Sequence, residues 1–324
     1  MNHMGAAMKL SDRIGRRMKL QDLHVFMAVV QTGSMGKAAQ RLSISQPAIS
    51  RSIAALEHAL GVHLLDRHRQ GVAPTEYGRA LLDCGVAVFD DLRQGVRKLE
   101  FLADPAAGEV RVGSAPPLAA SFVSAVIDRL SRRHPRVVFH LVATQTELLY
   151  RELAERNVDL LIAERFGALA DERLGFELLY DESYVVVAGA QNPWVRRRTI
   201  KLADLVNEPW VLPPLDSGPG SVAKEAFRAS GLDYPRVTVV TFPREARLSL
   251  VATGRFLTIV AASASRFPTK RAEFRVLPVE LPIARVPYGI VTLKNRTLSP
   301  VAQLFIDSAR DIGETYAARA TTRA

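Results

Sequence analysis

Apolar residues in the first part of the chain recur at helical spacing, in three short runs separated by small polar residues. Leu23, Phe26, Met27 and Val30 share one face of a first predicted helix, which "QTGS" ends. Ser34 is placed to cap a second helix, whose inward positions are Met35, Ala38, Ala39 and Leu42. Ser45 is placed to cap a third, with Pro47 in the first turn, where a missing N–H costs little. There Ile49, Ile53, Leu56 and Leu60 repeat at four, three and four, a narrow buried stripe that Gly61 closes. A strand-like pair follows in "VHLLDRHRQGVAPT", turning at Gly71. From Thr75 to Leu102 the pattern is one long helix, with Phe89, Leu92, Val96 and Leu99 as the seam of a paired helix. Gly85 and Gly95 weaken it, each by roughly 1 kcal/mol against Ala. The seam residues could instead pack on their own domain; so little domain lies beside them that a dimer is favoured.

After "ADPAAGE" strands and helices alternate. "EVRVG", "RVVFHLV", "VDLLIA", "YVVVAG", "PWVLP", "RVTVV", "FLTIV" and "YGIVTL" read as strands. Helical patterns between them are 118–132, 147–155, 221–230 and 245–253. Such alternation implies a mostly parallel sheet covered on both faces. The length of this part is generous for one sheet and predicts two lobes.

On a helical wheel, Gln46, Pro47, Ser50, Arg51 and Ala54 lie outside the buried stripe of the third helix. "SIS" leaves only a tight turn before it, which is helix-turn-helix geometry. Small residues beside Gln and Arg let a helix enter a major groove about 12 Å wide, where Gln suits adenine and Arg suits guanine or phosphate. Ser34, Lys37, Ser43 and Ser45, with two helix starts, suit phosphate oxygens. The strand pair becomes a wing, with Arg67 and Arg69 near its tip reaching backbone or a narrow minor groove. The plainer alternative leaves Gln46 and Ser50 solvated and pairs Arg51 with Glu57 or another acid.

Composition narrows the classes. The chain has 324 residues and a net charge of +10, so two or three domains and an acidic partner such as nucleic acid fit. The one cysteine, Cys84, excludes an intrachain disulfide and suits a reducing cytoplasm. No apolar run is long enough to span a membrane, and the N-terminus lacks a secretory core. Residues 1–17 read as a basic, mobile extension, with Met18 an alternative start. "GSMGK" lacks the spacing of a phosphate loop, "GPGS" follows no strand, and the seven histidines show no metal spacing. No catalytic residue, metal or cofactor is expected.

The stretch from Phe26 to Gly78 carries an ordered set of residues: Phe26, Val29, Gly33, Ser34, Ala38, Ala39, Leu42, "SQPAIS" at 45–50, Leu56, Glu57, Leu60, Gly61, Arg67, Thr75 and Gly78. This set resembles the winged helix-turn-helix of the LysR-type transcriptional regulators; Leu65 and Pro74 replace the usual Phe and Leu. The resemblance implies an α/β protein with an N-terminal all-α winged helix-turn-helix and a C-terminal bilobed, type 2 periplasmic-binding-protein-like domain. Its expected parts are the winged helix at 18–75, a dimerisation helix at 76–104 and an effector domain at 108–318. The lobes would be 108–183 with 288–318, and 184–287, with crossings at "DESYVVVAG" and "RVPYGIVTL". Expected partners are double-stranded promoter DNA, a small organic acid or sugar as effector, RNA polymerase if the protein activates, and further copies as a homodimer or homotetramer. Cleft walls in such sheets are strand ends and helix starts, which favour anions. They point to Ser114, Thr144, Gln145, Thr146 and Ser217 for the effector, with Ser221 nearby; Thr146 is also placed to cap a helix, which needs no ligand. Pro116 and Phe256 depart from the family's usual residues there. The competing reading is a solute-binding protein without regulatory DNA binding, which would require export.

Overall fold

The computed structural model describes residues 18–68, 71–167, 171–263 and 273–321, so the expectations for residues 1–17 and Arg69 lie outside the described residues. The chain divides into two compact units, Met1–Gly95 and Val96–Ala324.

The first unit opens with α1 (Leu20–Thr32), α2 (Met35–Leu42) and α3 (Gln46–Leu60). The expected caps form: the Lys37 N–H donates to Ser34 Oγ at 3.4 Å, and the Ala48 N–H to Ser45 Oγ at 3.3 Å. Ile49, Ile53 and Leu56 are buried against Leu23, Phe26 and Val29 of α1. The inward face of α1 is turned from the expected one, for Val25 and Val29 are buried while Met27 and Val30 are only partly so. A hairpin follows, β1 (Leu65–His68) antiparallel to β2 (Gly71–Pro74), with Arg67 opposite Val72.

Next comes α4 (Glu76–Ala103). Gly85 is a packing position rather than a weak point, because a Cβ there would lie 2.9 Å from Met27 Sδ and 3.2 Å from Leu23 Cδ1. The expected seam is divided. Phe89 packs on the first unit's core, its ring 5.4 Å from that of His24, whereas Leu92, Val96 and Leu99 are exposed. Leu102 extends that exposed stripe.

The second unit holds two five-stranded sheets. The first has the order β4 (Arg136–Ala143), β3 (Ala107–Ser114), β5 (Leu160–Glu164), β12 (Val286–Leu293), β6 (Leu174–Glu182). The second runs β11 (Phe274–Val276), β7 (Tyr184–Gly189), β10 (Leu257–Ala261), β8 (Trp210–Leu212), β9 (Val237–Val240). Both are mixed rather than mostly parallel. β3 runs parallel to β4 and β5, and β8 parallel to β9 and β10, but β12 is antiparallel to both its neighbours, as is β7. The antiparallel strands are those that carry the chain between sheets: β6 leads directly into β7, and β12 returns after β11. β12 pairs with β6 from Val286, two residues ahead of the expected return at 288.

Helices cover both faces of each sheet. α5 (Ser124–Arg133) and α9 (Pro300–Thr321) bury Val126, Leu130 and Phe305 on one side of the first sheet, and α6 (Thr146–Ala154) buries Leu149 and Leu153 on the other. α7 (Gly218–Ala229) packs Phe227 edge-on against Trp210, and α8 (Arg244–Ala252) packs Val251 on the opposite face of the second sheet. α5 is preceded by a turn, Pro116–Leu118, and a π-helical segment, Ala119–Val123. At the end of α4, Arg97 pairs with Asp159 at 3.2 Å, and Asp159 also accepts from the buried Arg296 at 3.3 Å.

Candidate functional site

Two surfaces carry the sequence-predicted residues, one in each unit. In the first, the turn between α2 and α3 places both helix starts on one surface: Ser34 Oγ and Gln46 Oε1 lie 3.8 and 3.9 Å from the position a Cβ on Gly36 would take. Gln46, Pro47 and Arg51 are exposed and Ser50 half-buried, so the side of α3 opposite Ile49 and Ile53 is open. Lys37, Ser43, Ser45 and Arg67 are exposed as well, and Ser43 ends α2 in the left-handed conformation with φ 55°. Neither α2 nor α3 has an acid in its first turn, which leaves their positive ends uncompensated.

Arg51 and Arg67 make no ion pair among the described residues. The alternative pairing of Arg51 with Glu57 is absent because Glu57 serves the wing: Glu57 Oε1 accepts from the Leu64 N–H at 2.7 Å and the Leu65 N–H at 3.4 Å. The far side of the wing is tied down by the Val72 N–H donating to Gly33 O at 2.9 Å. Gly71 makes that approach possible; its φ is 143°, and a Cβ there would meet Gly33 O at 2.5 Å.

In the second unit a cleft of about 590 Å³ opens at the strand ends. It is lined by the starts of α6, α7 and α8 and by the turn before the π-helical segment. Thr144, Gln145, Thr146 and Ser217 line it as expected, while Ser221 does not. Ser114 is set apart: it is fully buried, and its hydroxyl donates to Ile162 O at 2.8 Å within the sheet. Thr146 is the first residue of α6 and not its cap, a position taken by the backbone of Gln145. Ser217 does cap α7, accepting from the Gly220 N–H at 3.2 Å. Pro116 lines the cleft, whereas Phe256 packs beneath α8 and is not part of its lining.

The charged residues of the cleft escaped sequence reasoning. Glu164 ends β5, an otherwise apolar strand, and accepts from the Tyr288 hydroxyl at 3.2 Å. Burial pushes its carboxyl up to about 7, against the pull of the Tyr288 hydrogen bond and the Arg244 charge. Arg247 is 5 % exposed, and its Nη1 donates to Ile259 O at 3.2 Å. Burial brings the Arg247 guanidinium down to about 10, so it stays charged at neutral pH. The signal was present in "IAERFG", where a buried strand ends in two charges, and in "FPREARLS", where a proline-led helix starts with two arginines one turn apart. Among the described residues no cluster of His, Cys, Asp and Glu could hold a metal, and no helix is long and apolar enough to cross a membrane.

Comparison with known proteins bears on both surfaces. The family model "Bacterial regulatory helix-turn-helix protein, lysR family" matches residues 20–79, and "LysR substrate binding domain" matches residues 103–313. The transcriptional regulator GbpR of Azospirillum brasilense is 28% identical over 305 residues, covering 94% of this chain and 89% of its own. GltC, a transcriptional dual regulator of Bacillus subtilis, is 27% identical over 290 residues, covering 90% of this chain and 96% of its own. A full-length OxyR variant from Pseudomonas aeruginosa shares the fold with a TM-score of 0.65 at 21% identity, over 90% of this chain and 95% of that one. With an open helix-turn-helix face in one unit, a two-sheet cleft in the other, and family models matching both, the chain belongs to the LysR family of transcriptional regulators, with a DNA-binding and an effector-binding domain.

Proposed function

We propose that residues 18–75 dock α3 in the major groove of promoter DNA, with Gln46 and Arg51 reading base edges. Ser34, Lys37, Ser43 and Ser45 then fix the register against the phosphate backbone, and the small Pro47 and Ser50 let the open face of α3 enter the groove. Arg67, with Arg69 beyond it in sequence, reaches the backbone or minor groove from the wing. The observation that carries this reading is the open face of α3 with two acid-free helix starts beside it. Residues 76–104 hold the chain in a homodimer or homotetramer through Leu92, Val96 and Leu99, joined by Leu102 in place of Phe89. Residues 108–318 bind a small organic acid or sugar in the cleft at Thr144, Gln145, Thr146 and Ser217. A coupling of roughly 1–3 kcal/mol between effector and operator then suffices to change promoter occupancy or contact with RNA polymerase. The setting for this work is the cytoplasm.

Binding to a duplex selected from a random library, measured as salt rises from about 50 to about 200 mM, tests the DNA reading. Lys37, Arg67 and Arg69 from each of two copies would neutralise about six phosphates, which predicts a fall in affinity of roughly a thousandfold. A flat salt response contradicts it.

A further inference from the structure

We infer that the cleft takes an organic monocarboxylate with an apolar body, its carboxylate seated on Arg247 and Arg244 in an inner chamber. This rests on reading the cleft as the effector site. A second cavity of about 40 Å³ adjoins the main one, and Glu164, Arg244 and Arg247 line both. Its remaining walls set Ser121, Tyr184, Ser263 and Tyr288 among the apolar Leu118, Ile259 and Val260, and its volume suits one small polar group. The outer cavity sets Pro116, Tyr150, Phe166 and Phe242 beside the polar Thr144, Gln145, Thr146 and Ser217, and shares Pro117 and Pro219 with the smaller one. The buried Arg247 marks the end that takes a charged head, and the rings and prolines of the larger cavity give an apolar body surface to pack on.

The sign of the charge comes from Arg247. It is buried, Nη1 is used by the Ile259 carbonyl, and Nε has no hydrogen-bond partner. A buried guanidinium with an open donor calls for an anion, and carboxylate geometry matches its fork. Arg244, 12 % exposed, is one turn away on α8, pairs with Glu245 at 3.0 Å and also interacts with Glu164 electrostatically, so it adds positive charge beside Arg247. The groups facing Glu164 are the Tyr288 and Tyr184 hydroxyls, Glu182, Tyr150, Arg244 and Arg247. With its carboxyl poised near neutrality, Glu164 keeps its proton beside an arriving anion. Binding therefore takes up a proton and weakens as pH rises.

Calorimetric titration of the full-length protein with benzoate, phenylacetate and phenylpropionate, each against its own carboxamide and against glucose, tests this at about pH 6 and about pH 8. At least one carboxylate is expected to bind more than tenfold tighter than its amide. Arg247→Gln should cost that ligand roughly 10- to 100-fold, the range of a hydrogen bond to a charged group, with partial rescue by Arg247→Lys. Glu164→Gln should keep binding and flatten its pH dependence. Should Arg247→Gln fail to fold, Arg244→Gln carries the same test. Amide or glucose binding equal to the carboxylates, no carboxylate binding, or unchanged affinity in the folded arginine variants overturns the inference. A neutral ligand that binds and shifts operator affinity would remove the carboxylate while leaving the effector reading intact; no ligand effect on operator affinity would remove that reading too.

Discussion

Glu164 shows how a single residue ties stability to pH. In the unfolded chain its carboxyl ionises from about pH 4.5, whereas in the fold burial holds the proton up to about 7. Between those values the unfolded state sheds a proton that the native state keeps, so stability falls as pH rises through the window and levels off above it. The difference amounts to roughly 3 kcal/mol. Urea unfolding of the full chain at about pH 5 and about pH 8 should show wild type losing stability that Glu164→Gln retains; equal losses would exclude Glu164 as the source. Residues of this kind were not legible in advance. Ser34, Ser45 and Pro47 were, because a cap depends on three or four neighbouring residues. Glu164 and Arg247 acquire their character from strands and helices far away in sequence. Ser114 was misread for the same reason: a serine at a strand end suggests a cleft, and only the sheet register shows that its hydroxyl turns inward to Ile162.

Between elements, the wing depends on two ties, one from α3 and one from the turn after α1. Glu57→Ala removes the acceptor for the Leu64 and Leu65 amides, a charge-assisted contact worth about 1.5–3 kcal/mol. Hydrogen exchange should show faster amides in β1 and β2, while the α3 core residues Ile49 and Ile53 keep their protection. Unchanged β1 exchange would mean that the Gly33 contact and the bonds from Thr75 to His63 and Leu64 suffice to hold the hairpin. The helices and most strands were readable from their periods, since amphipathic spacing is a local record of which side is buried. β6 was not read, because "LGFELLYDE" buries only its ends and Tyr180 and leaves Glu177 and Leu178 exposed. α9 was likewise missed, although Ala302, Phe305, Ile306 and Ala309 are buried at three- and four-residue steps. Strand direction escaped the pattern as well. Alternating strands and helices suggest parallel pairing, and only the passage of the chain between two sheets makes β7 and β12 antiparallel.

For the whole molecule, two devices remain to be joined by assembly. Leu92, Val96, Leu99 and Leu102 form an exposed apolar stripe on α4, and a second copy would cover it. Leu99→Asp should shift sedimentation toward the monomer and weaken operator binding about 100-fold or more, as the second half-site is lost. A variant that stays dimeric with full affinity would place the interface elsewhere. The domain order was legible because the helix-turn-helix signature is dense and local, whereas the charged residues of the cleft are spread over β5 and α8. The central claim is that α3 reads sequence through Gln46. Selection of duplexes from a random library by the wild type and by Gln46→Ala measures this most directly. The account predicts that the wild type enriches an inverted repeat and that the variant loses roughly 1–3 kcal/mol of discrimination at one position in each half-site. Enrichment of the same sequence, with the same affinity and the same preference at every position, would contradict it.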